Sequence, residues 1–447
     1  MIVLSGDGGH PDEWDERVAP LADFVERERG LAFEHPVTVE FLDADGYADA
    51  VRIDDGALTA ADREAMEEWG AVLEALGILP AGTDPFASTN DLVDTGTLAF
   101  YDPVAEVVNV RGTEMSVGLE ATLVHELVHV AQDQAFDLTA PLPDDSTGAR
   151  EAFDALVEGD ASRIEMAYVS SLDGDRQDAY WDEYSTAYDE SQQGLSDVPG
   201  ALQALFAAPY VLGTPLVELI VDEGGNAAVD DAFAEPPASS EHLLDPRSYF
   251  AGDQPVDVDQ PDLPDGGDEV GEPGPIGATT LYVLLAERID PLDALAAADG
   301  WGGDNAIAYD DGERTCVRAD LVGDTPEDTD EIARALRDWA AVGSPGAASV
   351  EADADLVSLE ACASQPDGYT VAPSSRGLDT LGVPAARSQV MVVGAQVQGL
   401  DHEDAFAFGD CVVHDLPFDT LVQANEGDAP PEVAEAVDAT MQACATG

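Results

Sequence analysis

Apolar residues recur along this chain with two periods, 3.6 for a helix with one buried face and 2 for a half-buried strand. Residues 11–30 set Val18, Leu21, Phe24 and Val25 on one helical face, with charges opposite. Residues 36–42 alternate as a strand, and the Asp43-Ala44-Asp45-Gly46 that follows reads as a solvated acidic turn. It lacks the downstream ligands and closing glutamate of a calcium loop. Thr59 is a good N-cap for a helical pattern over residues 60–76, which Gly77 stops. Residues 98–101 and 107–110 flank Asp102-Pro103 and predict a hairpin. Directly after it, the rhythm from Gly118 to Gln134 predicts one helix of about five turns.

A Pro-rich loop over 137–148 precedes a helix over 150–169, with Phe153, Leu156, Val157, Ile164 and Met166 as its apolar set. Tyr180, Trp181, Tyr184 and Tyr188 make an aromatic stripe, a pattern that usually packs into a core and less often forms a substrate platform. Residues 201–206 and 211–221 read as apolar helices ending at Gly224-Gly225. An acidic Pro/Gly-rich connector spans 253–275, and an apolar helix 276–289 follows. Beyond it, strands over 315–322 and 389–397 alternate with helices over 328–341 and 431–443. No repeat is visible.

The chain has 447 residues, enough for two or three ordinary domains, and 45% of them are apolar. Its 93 acidic residues stand against 17 basic ones, all arginine, for a net charge of −76. Such a charge repels nucleic acid and anionic membrane surfaces, so neither is an expected partner. Disordered acidic chains lack apolar periodicity, and this one keeps it. The composition therefore fits a folded protein of a halophile, in molar salt where the Debye length falls to about 3 Å. No apolar run approaches the roughly 18 residues of a membrane span. Met1-Ile2-Val3-Leu4 is too short for a signal-peptide core, so the chain is expected either to be cytoplasmic or to begin after a removed leader. Cys316, Cys362, Cys411 and Cys444 have no metal-ligand spacing, and their even number suits two disulfides of open connectivity in an oxidising compartment, with four buried thiols as the alternative.

Only seven histidines are present, yet two of them fall in His125-Glu126-Leu127-Val128-His129. Chance produces H-E-x-x-H in roughly one such chain in a hundred. On a helix, His125 and His129 share a face and can hold one metal ion, with Glu126 at its edge as a base for water. A hydrolytic zinc site needs a third protein ligand. Gln132 and Ala135 stand where the glycine and third histidine of the three-histidine motif would be, so a carboxylate must serve. Glu151, Asp154, Glu158, Asp160 and Glu165 of the next helix are all candidates, and spacing does not choose among them. Asp133, Asp154 and Asp160 are candidates to orient the imidazoles. His242 reads as a packed or surface histidine, and His10, His35, His402 and His414 have no spacing that argues for a metal.

Leu156-Val157-Glu158-Gly159-Asp160-Ala161 resembles the L-x-E-G-x-A segment of gluzincin metallopeptidases, whose glutamate is the third zinc ligand. Pro209-Tyr210-Val211-Leu212-Gly213 is similar to the P-Y-x-x-G segment of one-zinc aminopeptidases in that group, whose tyrosine binds the oxyanion. The wider run H-E-L-V-H-V-A-Q-D-Q, with Ser240-Glu241-His242-Leu243-Leu244-Asp245-Pro246 further on, resembles a group of secreted prokaryotic proteins sharing H-E-L-T-H-A-L-Q-D-Q. This likeness covers residues 10–340 and is strongest over 95–165. It implies Glu158 as the third Zn2+ ligand, Tyr210 as oxyanion donor and Glu126 as general base, acting on a peptide or protein substrate. The G-x-M-E-N amine-binding motif of the aminopeptidases is absent, so exopeptidase activity does not carry over.

The expected fold is α+β: a helix-rich zincin-like domain over 10–345 with a small sheet beside the active-site helix, and a C-terminal α/β extension over 346–447. Within the first domain the active-site core is 95–225 and the acidic connector 253–275. The cysteines and the resemblance place the protein outside the cell or at its surface. The rival reading is a non-catalytic metal-binding structural or surface protein of a halophile. It leaves Glu126 without a task and lacks the four Cys/His ligands that close a structural zinc site.

Overall fold

The computed structural model describes residues 10–52, 58–142, 146–353, 355–363, 376–425 and 429–445. Met1 to Leu4 and part of the Pro-rich loop lie outside them. Helices dominate, with two small sheets, so the protein is α+β.

Strands β1 (Thr38–Leu42), β2 (Ala99–Asp102) and β3 (Val107–Arg111) form a sheet of order β1-β3-β2. β1 runs parallel to β3 and β2 antiparallel to it, which leaves β2 at an edge. The predicted hairpin is β2–β3, and the helix carrying the two histidines follows directly as Val117–Phe136. Ser116 caps that helix by accepting the Leu119 N–H, and Asp137 closes it in the left-handed region at φ 57°. It is buried on every side from Leu123 to Gln132, its two histidines and Glu126 included, while Glu120 and Thr122 are half-buried. Its apolar residues form one core with β2, β3, the helix Ala19–Arg29 and part of the helix Thr147–Ser171.

A larger core gathers the rest of Thr147–Ser171, the helix Gly200–Gly224 and the elements around the second sheet. Strands β4 (Asp268–Gly274), β5 (Trp301–Asp310), β6 (Thr315–Gly323), β7 (Ala348–Ala352) and β8 (Val357–Cys362) are all antiparallel in the order β4-β5-β6-β8-β7. This sheet joins residues on both sides of position 345, where the sequence reading divides the chain, and it recruits part of the acidic connector as β4. Disulfides link Cys316 to Cys362, directly opposite each other on β6 and β8, and Cys411 to Cys444. They are the two bonds that the even cysteine count suggests.

Four sequence expectations change. Residues 389–397 are helical, lying across Gly382–Val392 and Val393–Val397, because a continuous apolar run serves a buried helix as well as a buried strand. Residues 201–206 and 211–221 belong to one helix, Gly200–Gly224, with Pro209 and Pro215 inside it. Lost backbone bonds at the prolines are outweighed by the buried apolar face. This helix is long and apolar enough to cross a membrane, but half of its most apolar window is buried among other helices. Asp43 is an N-cap rather than a turn residue, accepting the Gly46 N–H ahead of the helix Ala44–Val51. The aromatic stripe lies on the helix Gly174–Gly194 with only Tyr180 in the core.

Two glycines set how two of the long helices meet. A Cβ on Gly159 would lie 2.5 Å from the Gly213 carbonyl, and one on Gly213 would lie 2.0 Å from the Ala155 oxygen. Thr147–Ser171 and Gly200–Gly224 thus cross backbone to backbone, which brings Tyr210, one turn before Gly213, beside Glu158.

Candidate metal centre

His125, His129 and Glu158 converge as the sequence and its resemblance anticipate. His125 Nε2 is 3.1 Å and His129 Nε2 3.3 Å from the same Glu158 oxygen. Each residue offers a ligand atom within 4.8 Å of the other two. Two imidazole nitrogens and one carboxylate are the donor set of a hydrolytic zinc site, so the residues present fit the metal. Burial opposes a charge on either imidazole, and the Glu158 carboxylate outweighs it, raising both histidines above their ordinary value. Burial likewise opposes the Glu158 charge, and the two imidazoles hold that carboxyl well below the usual range.

An acceptor stands behind each imidazole, hydrogen-bonded at His129 and at ion-pair distance at His125. Glu165 Oε2 lies 3.2 Å from His125 Nδ1, and Gln132 Oε1 lies 2.9 Å from His129 Nδ1. Gln132 Nε2 donates to the Val157 carbonyl and to Asp160, so its oxygen must face the imidazole. That oxygen accepts the Nδ1 proton and leaves the His129 Nε2 lone pair for a metal. Asp160 is in turn held by the fully buried Arg29 at 2.6 Å and by Arg163 at 2.9 Å.

Of the three carboxylates considered for this orienting task, Asp160 acts one step removed, through Gln132. Asp133 accepts the Tyr101 hydroxyl at 2.9 Å. Asp154 is one turn before Glu158 and contacts neither imidazole. Glu165 and Gln132 were missed, although the sequence held a signal for each. Glu165 is two turns beyond Glu158 on the same face, and Gln132 is three residues beyond His129.

Glu126 is only 6% exposed, and its Oε2 accepts the Tyr101 N–H of edge strand β2 at 2.8 Å. Burial raises its pKa, partly offset by the two imidazoles. Tyr210 stacks on His125 with ring centroids 6.4 Å apart. Its side chain is 39% exposed, yet burial and then the Glu158 and Glu126 charges push its hydroxyl well above the ordinary value. The ring is thus partly open to solvent while its hydroxyl end faces Glu158.

The remaining histidines stay apart. His242 is buried beside Tyr249, and burial pulls it down to about 4. His402 sits between Asp222 and Glu223, lining a cavity of about 520 Å³ with Tyr249, Phe250 and Phe406. No residue of the metal cluster lines that cavity, and the convergence of ligands outweighs its size as a guide to chemistry. Two other clusters among the described residues have metal-ligand geometry. Cys411, Asp415 and Cys444 have both sulfurs spent in a disulfide, and Glu241, Asp253 and Asp324 offer carboxylates alone.

No curated protein and no solved structure matches this chain. One family model, described as a domain of unknown function (DUF8575), matches residues 268–398. The matched segment holds the five-stranded sheet and the helix Pro326–Val342 packed on it, but not the helix Ala60–Ala75 that also packs there, and none of the residues of the metal cluster.

Proposed function

We propose that this protein is a zinc-dependent peptidase of gluzincin type with a zincin-like catalytic region. The convergence of His125, His129 and Glu158, with Glu126 on the same helix and buried at the edge of β2, carries the reading. His125 Nε2, His129 Nε2 and one Glu158 oxygen would hold Zn2+. The ion supplies a Lewis acid there, which polarises a carbonyl and brings the pKa of a water down towards about 7.

The chain's own groups do the rest. Glu126 takes the proton from the attacking water and returns it to the leaving amine. Its bond to the Tyr101 N–H fixes one carboxylate oxygen and leaves the other for the water. Tyr210, with its proton firmly held, donates to the developing oxyanion, a contact worth about 3 kcal/mol. Edge strand β2 can take an extended peptide as an added strand beside the base. Glu165 and the Gln132–Asp160–Arg29 relay keep both imidazoles in register.

The two disulfides fit an oxidising compartment, and the reading places the enzyme outside the cell or at its surface. A casein digest in high salt, with and without a chelator, tests it. Cleavage that the chelator stops and zinc restores is expected. Zinc bound at one per chain without cleavage of any peptide would favour a structural metal site.

A further inference from the structure

On the peptidase reading above, we propose that the exposed aromatic ladder of the helix Gly174–Gly194 binds an extended segment of the polypeptide substrate, which it holds by apolar or aromatic side chains on alternate residues. Tyr180, Tyr184 and Tyr188 follow one another at four-residue steps, with ring centroids 6.1 and 6.5 Å apart and planes within 25° of parallel. Trp181 lies edge-on to Tyr180 at 5.0 Å and to Tyr184 at 5.8 Å.

Exposure makes this unusual. Trp181 is 48%, Tyr184 53% and Tyr188 50% exposed, on a helix that otherwise presents Asp178, Asp182, Glu183, Asp189 and Glu190. A chain of net charge −76 has ample polar residues for a solvated face, so a contiguous aromatic strip marks a contact surface.

Its position ties it to the metal centre. The Tyr180 hydroxyl donates to Glu165 at 3.4 Å, and the other Glu165 oxygen faces His125 Nδ1 at 3.2 Å. Glu183 accepts the Gly118 N–H at 2.8 Å, pinning the helix to the start of the histidine-bearing helix. The buried foot of the ladder, Tyr180, is therefore one residue removed from His125, and the two exposed tyrosines follow it along the helix.

Spacing identifies the guest. Side chains on one face of an extended chain repeat at about 6.6 Å, twice the rise per residue. The 6.5 Å step between the two exposed tyrosines, Tyr184 and Tyr188, matches that repeat, so alternate side chains of one extended peptide meet both rings while buried Tyr180 anchors the ladder from below. Aromatic and apolar contact also persists as salt rises, whereas charge attraction is screened.

The test compares the wild-type chain with the Tyr184→Ala/Tyr188→Ala double variant on two peptides. One is long, with Phe or Leu on alternate residues, and the other is a short peptide confined to the residues flanking the cut bond. The variant should raise KM for the long peptide about tenfold at unchanged kcat and leave the short peptide untouched. Equal cleavage of the long peptide by both proteins would overturn the proposal, as would an equal loss on both peptides. If wild type cleaves neither, the peptidase reading fails and the ladder is judged by binding alone. The long peptide should then quench the Trp181 fluorescence that Trp181→Phe removes, about tenfold more weakly in the double variant. No quenching, or quenching by a soluble oligosaccharide and not by the peptide, would overturn it.

Discussion

Gly213→Ala should damage both stability and the metal centre, although Gly213 touches no ligand. The new Cβ would stand 2.0 Å from the Ala155 oxygen and 2.8 Å from its carbonyl carbon. Ordinary contact begins at 3.4 Å, so the two helices must part by about 1.4 Å. Both partners are backbone, and no rotamer can relieve the clash. Overpacking of this kind costs about 3 kcal/mol. Parting the helices also draws Tyr210 away from Glu158 and loosens the ligand helix. Gly174→Ala is the control: it opens a helix, and its Cβ would meet nothing within 4 Å. That variant should be unchanged or stabilised by less than about 1 kcal/mol. Denaturant unfolding in high salt gives the stability difference, and competition with a chromophoric chelator gives zinc affinity. Equal stability and equal affinity in the two variants would refute the account of the helix crossing.

The orienting residues should reveal themselves in metal affinity. Glu165→Ala and Gln132→Ala are each expected to weaken zinc binding by about 10- to 100-fold, measured by the same chelator competition, and unchanged affinity would remove them from the site. Glu241, 4% exposed, is pushed up to about 9 by burial and then by Asp324, Asp253 and Asp245. A raised carboxyl pKa gives stability that is present below its ordinary 4.5 and lost as pH rises through about 9. Glu241→Gln should therefore match wild type near pH 4 and exceed it by a few kcal/mol at pH 8 in denaturant unfolding; a less stable variant at pH 8 contradicts this. The Cys316–Cys362 bond closes a separation of 46 residues, so its removal in Cys316→Ala/Cys362→Ala should lower stability by about 4 kcal/mol. A loss under 1 kcal/mol would show that the pair adds little to the sheet.

The β2–β3 hairpin, the histidine-bearing helix and its successor were legible because each repeats one period, and the two helices carry their own caps, Ser116 and Ser146. Residues 389–397 were not, since an unbroken apolar run has no period to read. Neither was the five-stranded sheet as a whole: β4 begins in a stretch dominated by glycine, proline and acid, and pairing between distant strands leaves no local mark. At the metal centre, His125, Glu126 and His129 followed from helix geometry. Choosing Glu158 over its neighbours needed the family likeness. The structure supplies the reason for the glycines in that likeness, since Gly159 and Gly213 are where the two helices touch. Gln132 was legible only as the occupant of another motif's glycine position, and its partner across the helix pair, Asp160, explains why an amide suffices to orient His129.

The central claim is that His125, His129 and Glu158 hold a zinc ion whose work depends on Glu126. Zinc content and peptide cleavage, measured together on wild type and Glu126→Gln, test it most directly. The account predicts about one zinc per chain in both proteins, with cleavage in the variant reduced at least a hundredfold. A Glu126→Gln protein that cleaves as fast as wild type, or a wild type that cleaves peptide with no metal bound, would contradict it.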